Sequence, residues 1–351
     1  MASPGAVPLL IDCDTGIDDS LALLYAVASP EADIRAVTCV AGNVDATQVG
    51  INTRAVLELG GRPDIEVALG RRVPLMRALV TTPETHGPSG LGDATLPVPS
   101  RQISTRHAAD LLIAEARAHP GELTLVTVGP MTNLAVAVLR EPELPRLLRR
   151  LVLMGGAYGA AGNATPVSEW NVAVDPEAMA VVLRAWSPDG PVAWGADPPP
   201  RPLALGLDVT EQARLLPHHL ERLAARAGCR ADGSPHVGDG PVNPIIQFLA
   251  DALAWYFRFH EQFDGFTGAF VHDPLAVAAA LDPDLVRTRP VTVEVELGGA
   301  LTAGQTVADW RHHWGRPPNL DVARSVDVDV FLDRFIDRVG GLAAAWSTVA
   351  R

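Results

Sequence analysis

The stretch Leu9-Leu10-Ile11-Asp12-Cys13-Asp14-Thr15-Gly16-Ile17-Asp18-Asp19 restricts this chain more than any other part of it. It opens as an apolar run of strand length, and a helical pattern begins directly after it at Ser20. Between the two stand four carboxylates, Asp12, Asp14, Asp18 and Asp19, within eight residues. Like charges that close raise one another's pKa, so the cluster is either partly protonated or built around a cation. Oxygen donors of this kind suit Ca2+ or Mg2+ better than zinc.

Downstream, strand and helix patterns alternate. Residues 34–40, 66–69, 123–128 and 151–154 read as buried strands, and residues 52–59, 106–118 and 134–139 as helices, the last capped by Thr132-Asn133. Asp175-Pro176-Glu177 reads as a further helix start, and residues 248–259, 275–281 and 329–339 as later helices. Residues 292–297 alternate like a strand with one wet face. This order predicts an α/β fold: one large domain over residues 1–351 with an open, mostly parallel central sheet flanked by helices. The proline-rich segment 188–202 and the glycine- and proline-rich segment 229–244 read as loop insertions, and 82–92 as a polar loop carrying His86.

Composition narrows the function. A formal charge of −13 argues against nucleic-acid or anionic-membrane partners, which demand basic surface, and favours a small polar substrate. All 28 basic residues are arginine, so a Walker A lysine and a Schiff-base lysine are both excluded. Three cysteines far apart in sequence, no apolar run of membrane length and an uncharged opening Met1-Ala2-Ser3-Pro4-Gly5 point to the cytoplasm.

An Asp before a helix is ordinarily a cap, and Asp175-Pro176 and Asp273-Pro274 both satisfy that pattern. Four acids at one strand end exceed what a cap uses. In open α/β sheets, ligands bind beyond the carboxyl ends of the strands. Asp12 to Asp19, Asn43, Val128, the stretch from Met154 to Asn163, and His272-Asp273 all fall at such ends. His272 beside an acidic ligand candidate is a candidate proton donor.

Two families carry resemblances to the opening stretch. Asp12-Cys13-Asp14-Thr15 resembles the nucleophile motif of haloacid-dehalogenase-type phosphatases, with Asp12 as phosphoryl acceptor, but that family relies on a downstream basic residue, generally lysine, which this chain lacks. The run also resembles the Asp-x-Asp-x-Gly-x-Asp-Asp signature of inosine-uridine-type nucleoside hydrolases. That second resemblance continues in order through Gly42-Asn43, His86-Gly87, Gly129-Pro130-Met131-Thr132-Asn133, Met154-Gly155-Gly156, Asn163 to Asn171, Asp175-Pro176-Glu177 and Val271-His272-Asp273-Pro274.

The resemblance implies a calcium-dependent hydrolase that splits ribonucleosides to free base and ribose. Asp14, Asp19, Asp273 and the carbonyl of Val128 would ligate one Ca2+, with Asp14 also the base that deprotonates the attacking water. Asn43 would orient water or ribose. Asp18 and Asn171 would hold the lower ribose hydroxyls, Asn163 and Glu169 the 5′-hydroxyl, and Met154 would pack on the sugar. His272 would serve the leaving group, while His86, Tyr256 and His260 would face the base, the last two lying one helical turn apart. Asp12 would only support the turn. The family's habit implies a homodimer or homotetramer, and a role in purine or pyrimidine salvage. A non-catalytic nucleoside or ribose sensor is the remaining alternative.

Overall fold

Strand β1 (Val7–Cys13) is buried from Leu9 onward in the computed structural model, which describes residues 5–192, 194, 195, 198–234, 236 and 242–349. β2 (Ala32–Cys39), β3 (Glu66–Leu69), β4 (Thr124–Thr127), β5 (Arg150–Met154) and β6 (Leu203–Leu205) follow, separated by helices. β7 (Arg214–Leu215) and β8 (Ala269–Phe270) pair with each other. β9 (Val286–Val291), β10 (Val293–Val295), β11 (Thr306–Ala308) and β12 (Leu320–Val326) come last, and β10 pairs with β11. The wet-faced strand read at 292–297 is therefore shorter than its pattern.

The central sheet has the order β3-β2-β1-β4-β5-β6-β12-β9. All neighbours run parallel except β9, which is antiparallel on the edge. Both faces are covered, as the apolar strands require. Leu9, Ile11 and Cys13 of β1 pack in one core layer, and Leu10 packs in the other. The chain winds outward from β1 to β3 and then returns to β4 on the far side of β1. That reversal opens a crevice between the ends of β1 and β4. Asp12 pairs with Thr127 across it, which brings Asp14 and Val128 to the same edge.

Several helix starts differ from the sequence expectation, because their first amides find partners that a local pattern does not show, some nearby and some distant in sequence. Helix α1 (Ile17–Ala28) begins at Ile17 rather than Ser20, so Asp18 and Asp19 lie in its first turn. The Gly16 amide donates to Asp19 Oδ2 at 2.9 Å and the Ile17 amide to His86 Nδ1 at 3.1 Å. Helix α2 (Ala46–Leu59) starts early because the Asp45 carboxylate accepts from Thr47 and Gln48. Asp273 is not the cap of its helix, His272–Leu281, but lies inside the first turn. Asp18 Oδ2 takes that helix's His272 and Asp273 amides instead, at 3.1 and 3.2 Å.

Thr132 and Asn133 likewise lie within the helix Thr132–Arg140 and do not cap it. The Thr132 hydroxyl donates to Asp175, itself a true cap that accepts from Ala178. Asn133 Nδ2 donates to Asp12 Oδ1 and to the Cys39 carbonyl, and its Oδ1 accepts from the Arg71 amide. The segment His86 occupies is a single helical turn, Pro83–His86, rather than open loop. The described residues of 188–202 form no helix or strand, and 229–244 leads from the helix Pro217–Arg226 to the helix Pro244–Phe263. Residues 193, 196, 197, 235 and 237–241 of these segments lie outside the described residues.

Asn133 thus ties β1, β2 and the loop after β3 together beneath the crevice. Asn133→Ala leaves a buried carboxylate, a carbonyl and an amide each short of a partner, and is expected to cost about 3 kcal/mol of unfolding free energy. Urea denaturation checks this; a loss below about 1 kcal/mol contradicts it.

Candidate active site

A cavity of about 500 Å³ opens at the carboxyl ends of β1, β4 and β5. The turn after β1 contributes Asp14 and Asp18, the turn after β2 Asn43, and the ends of β4 and β5 Val128 and Met154. Asn163, Glu169 and Asn171 come from the glycine-rich connection after β5. His86, Tyr256, His260, His272 and Asp273 complete the wall. Of the four clustered aspartates, Asp12 and Asp19 do not reach the cavity. Asp19 is fully buried behind Asp14.

Asp14 is held between two glycines. A Cβ on Gly42 would lie 2.1 Å from Asp14 Oδ2, and one on Gly129 would lie 2.8 Å from Oδ1. Only glycine leaves room for the carboxylate at these two strand ends. The Asn43 amide donates to Asp14 Oδ2 at 2.8 Å, and Asp14 N donates to Asp19 Oδ1 at 3.1 Å. Asn43 Nδ2 also donates to Asp19 Oδ2, while Asn43 Oδ1 and Asp18 Oδ1 are buried without a partner.

Burial and mutual repulsion push these acids up together. Burial is the larger cause for each, and the Asp19 charge adds to it for Asp14 and Asp18. Asp18 rises to about 8, while Asp14 and Asp273 rise well above the carboxylate range. Among the described residues, no arginine lines the cavity. Burial holds His86 and His272 neutral, both at about 3. The cluster therefore holds protons until a cation takes their place.

The donor chemistry fits a hard divalent ion: clustered carboxylates, an unpartnered Asp18 oxygen, and the Val128 carbonyl close by. Among the described residues, no group of three or more Asp, Glu, His or Cys side chains is arranged to hold a metal ion by itself. The Val128 carbonyl also accepts from Asn171 Nδ2 at 2.8 Å, leaving one lone pair for an ion.

On the sugar side, Glu169 caps the helix Trp170–Val174, and its oxygens accept from the Gly156, Asn171 and Val172 amides. Asn163 Oδ1 accepts from the Trp170 amide, so its NH2 is the part left for a ligand. Asn171 spends its NH2 on Val128 and Met154, which leaves its Oδ1. The opposite wall is aromatic: the Tyr256 ring lies 5.6 Å from His86 and 4.5 Å from His260, centroid to centroid. Sequence reasoning missed Trp170, Phe259, Phe263, Phe270, Glu84, Glu211 and Asp264 in the cavity lining. The spacing 256, 259, 260, 263 puts four rings on one helix face and could have found two of them.

These shifts set the pH response. A carboxyl whose pKa is raised in the folded state contributes stability that is complete below its unfolded value, 3.8, and is lost as pH rises through the folded value. The depressed histidines act oppositely, and their contribution is lost as pH falls below the ordinary 6.5. Above neutrality the carboxyls alone set the slope. Chelator-treated protein is expected to lose roughly 1 kcal/mol per pH unit for each carboxyl still protonated, between about pH 7 and 8.5. Added Ca2+ is expected to flatten that decline. Thermal melts across the window check this, and a melting temperature that rises with pH in chelator contradicts it.

The inosine-uridine preferring nucleoside hydrolase family matches residues 9–333. The chain is 38% identical over 340 residues to the pyrimidine-specific ribonucleoside hydrolase RihA of Citrobacter koseri, covering 97% of this chain and 100% of that protein. Its fold matches the purine-preferring ribonucleoside hydrolase from Gardnerella vaginalis with a TM-score of 0.83 and 32% identity, over 96% and 99% of the two chains. A plant nucleoside hydrolase matches with the same TM-score at 29% identity, again over 96% and 99%. With this sheet, this crevice and these matches along its length, the chain belongs to the inosine-uridine preferring nucleoside hydrolase family and is a hydrolase of ribonucleoside N-glycosyl bonds.

Proposed function

We propose that the cavity cleaves ribonucleosides with Ca2+ as its ion and Asp14 as the base that deprotonates the attacking water. The observation that carries this reading is the buried, all-oxygen carboxylate cluster at the β1–β4 crevice with no arginine, among the described residues, on the cavity wall. Asp14, Asp19, Asp273 and the Val128 carbonyl would hold the ion. When bound, the ion lowers the pKa of water and grips vicinal hydroxyls.

Asp14, fixed between Gly42 and Gly129, has one geometry in which to receive the proton of the attacking water. Asn43 fixes Asp14 and Asp19 together and offers its free Oδ1 to water or ribose. Asp18 and the Asn171 Oδ1 are positioned to accept from ribose hydroxyls, with Asn163 Nδ2 and Glu169 toward the far end of the sugar and Met154 against it. Positive charge growing on the ribose as the bond breaks is stabilised by these anions in a site shielded from water. His272, whose Nδ1 lies 2.7 Å from the Thr210 hydroxyl, stands on the leaving-group side with His86 and Tyr256.

The phosphatase alternative places its nucleophile on Asp12. Asp12 is fully buried, does not line the cavity, and spends Oδ1 on Thr38 and Asn133. Among the described residues no helix is long and apolar enough to cross a membrane.

Asp14→Asn keeps the shape and removes the base. It is expected to lower kcat for uridine and inosine by about 10³-fold in a reducing-sugar assay, with little change in KM. Unchanged turnover overturns the mechanism, phosphate release from a nucleotide without sugar release favours Asp12 chemistry, and tight binding without turnover in wild type favours the sensor.

A further inference from the structure

We propose that His260 and Asp264 form the pair that delivers a proton to the departing base, with His260 Nε2 as donor and Asp264 as the residue that positions the ring. This rests on reading the cavity as a nucleosidase site, and it gives His260 the proton delivery for which the family resemblance points to His272.

His260 stands in the last turn of the helix Pro244–Phe263, and Asp264 is the residue that ends that helix. His260 Nδ1 lies 2.7 Å from Asp264 Oδ2. A carboxylate only accepts, so the Nδ1 proton is fixed there and Nε2 is left to act on its own. The ring is 3% exposed, it lines the cavity, and Nε2 is buried with no partner. Tyr256, Phe266 and Phe270 pack around the ring at centroid distances of 4.5, 5.5 and 5.0 Å, which fixes its plane. A ring nitrogen that is buried and unbonded, on a residue that lines a ligand cavity, lacks the partner that a ligand would supply.

The other two cavity histidines are bound differently. His86 Nδ1 accepts from the Ile17 amide, and His272 Nδ1 meets the neutral Thr210 hydroxyl. Among the described residues, His260 is the cavity histidine whose second nitrogen meets a carboxylate. Burial holds the His260 imidazole below its ordinary range, and the Asp264 carboxylate and the negative end of a 20-residue helix act against that shift in favour of the imidazolium. The Asp264 side chain is 40% exposed, so solvent can restore the proton after each turnover.

The step balances. The glycosidic electron pair moves onto the base as the hydroxyl of water bonds to C1′. The base takes the proton from His260 Nε2, leaving a neutral ring still bonded to Asp264 through Nδ1–H. The proton lost by water goes to Asp14 and from there to solvent, which returns one to His260. One water is consumed, and free base and ribose leave.

The test compares uridine with 4-nitrophenyl β-D-ribofuranoside, whose phenolate departs without a proton. The readout is the ratio of their kcat/KM values. His260→Ala is expected to lower the uridine-to-nitrophenyl ratio by about 10²-fold and Asp264→Asn by about 10-fold, through kcat rather than KM. Asp14→Asn, which acts on the water, is expected to slow both substrates and hold the ratio within about 3-fold. A ratio unmoved in His260→Ala, whether both activities fall together or neither falls, overturns the proposal. If that variant fails to fold, Asp264→Asn, altered at a partly exposed carboxylate, carries the same decision. Wild-type protein that releases sugar from neither substrate overturns the nucleosidase reading itself.

Discussion

Repulsion among the carboxylates around Asp14 is the constraint that the rest of this structure answers. Two unit charges about 4 Å apart at an effective dielectric near 20 repel by about 4 kcal/mol, against a total stability of roughly 5–15 kcal/mol for a folded domain. Four buried aspartates could not all stay charged unaided. The fold meets part of the cost with backbone amides: Asp19 accepts from Asp14 and Gly16, Asp14 from Asn43, and Asp18 from His272 and Asp273. The remainder falls to protons or to a cation.

Those same bonds connect the site to the scaffold. Asp18 caps the helix His272–Leu281 from a distance, and His86 caps α1. The elements that bear site residues are therefore held in place by other site residues. Asn133 braces Asp12 below the cluster, which is why Asp12 is essential to the architecture without touching the cavity. Evicting any of these groups disturbs a helix start as well as the chemistry.

The strand-and-helix alternation made β1 to β5 legible, because these strands are largely buried and bounded by turn residues, whereas the short β6 and the partly exposed β12 and β9 on the far side of the sheet were not read. The cavity residues were legible for a related reason: polar groups at strand ends share one edge of a parallel sheet. Helix starts were legible only in part: Asp175 caps its helix as its pattern suggests, whereas Thr132 and Asn133 lie inside theirs, and the first amides of the helices that begin at Ile17 and His272 go to His86 and Asp18, far away in sequence. The squeeze of Gly42 and Gly129 on Asp14 was also invisible, since it depends on how three strand ends approach one another. The His260–Asp264 pair could be seen as an i, i+4 spacing, but the buried, unbonded Nε2 could not.

Calorimetric titration of chelator-treated protein with Ca2+, repeated at pH 7 in buffers of different ionisation enthalpy, tests the central claim most directly. The carboxylate cluster predicts one ion bound per chain together with net proton release, because protons held by Asp14, Asp18 and Asp273 leave as the cation enters. An absence of saturable binding, or binding with no proton released, contradicts it.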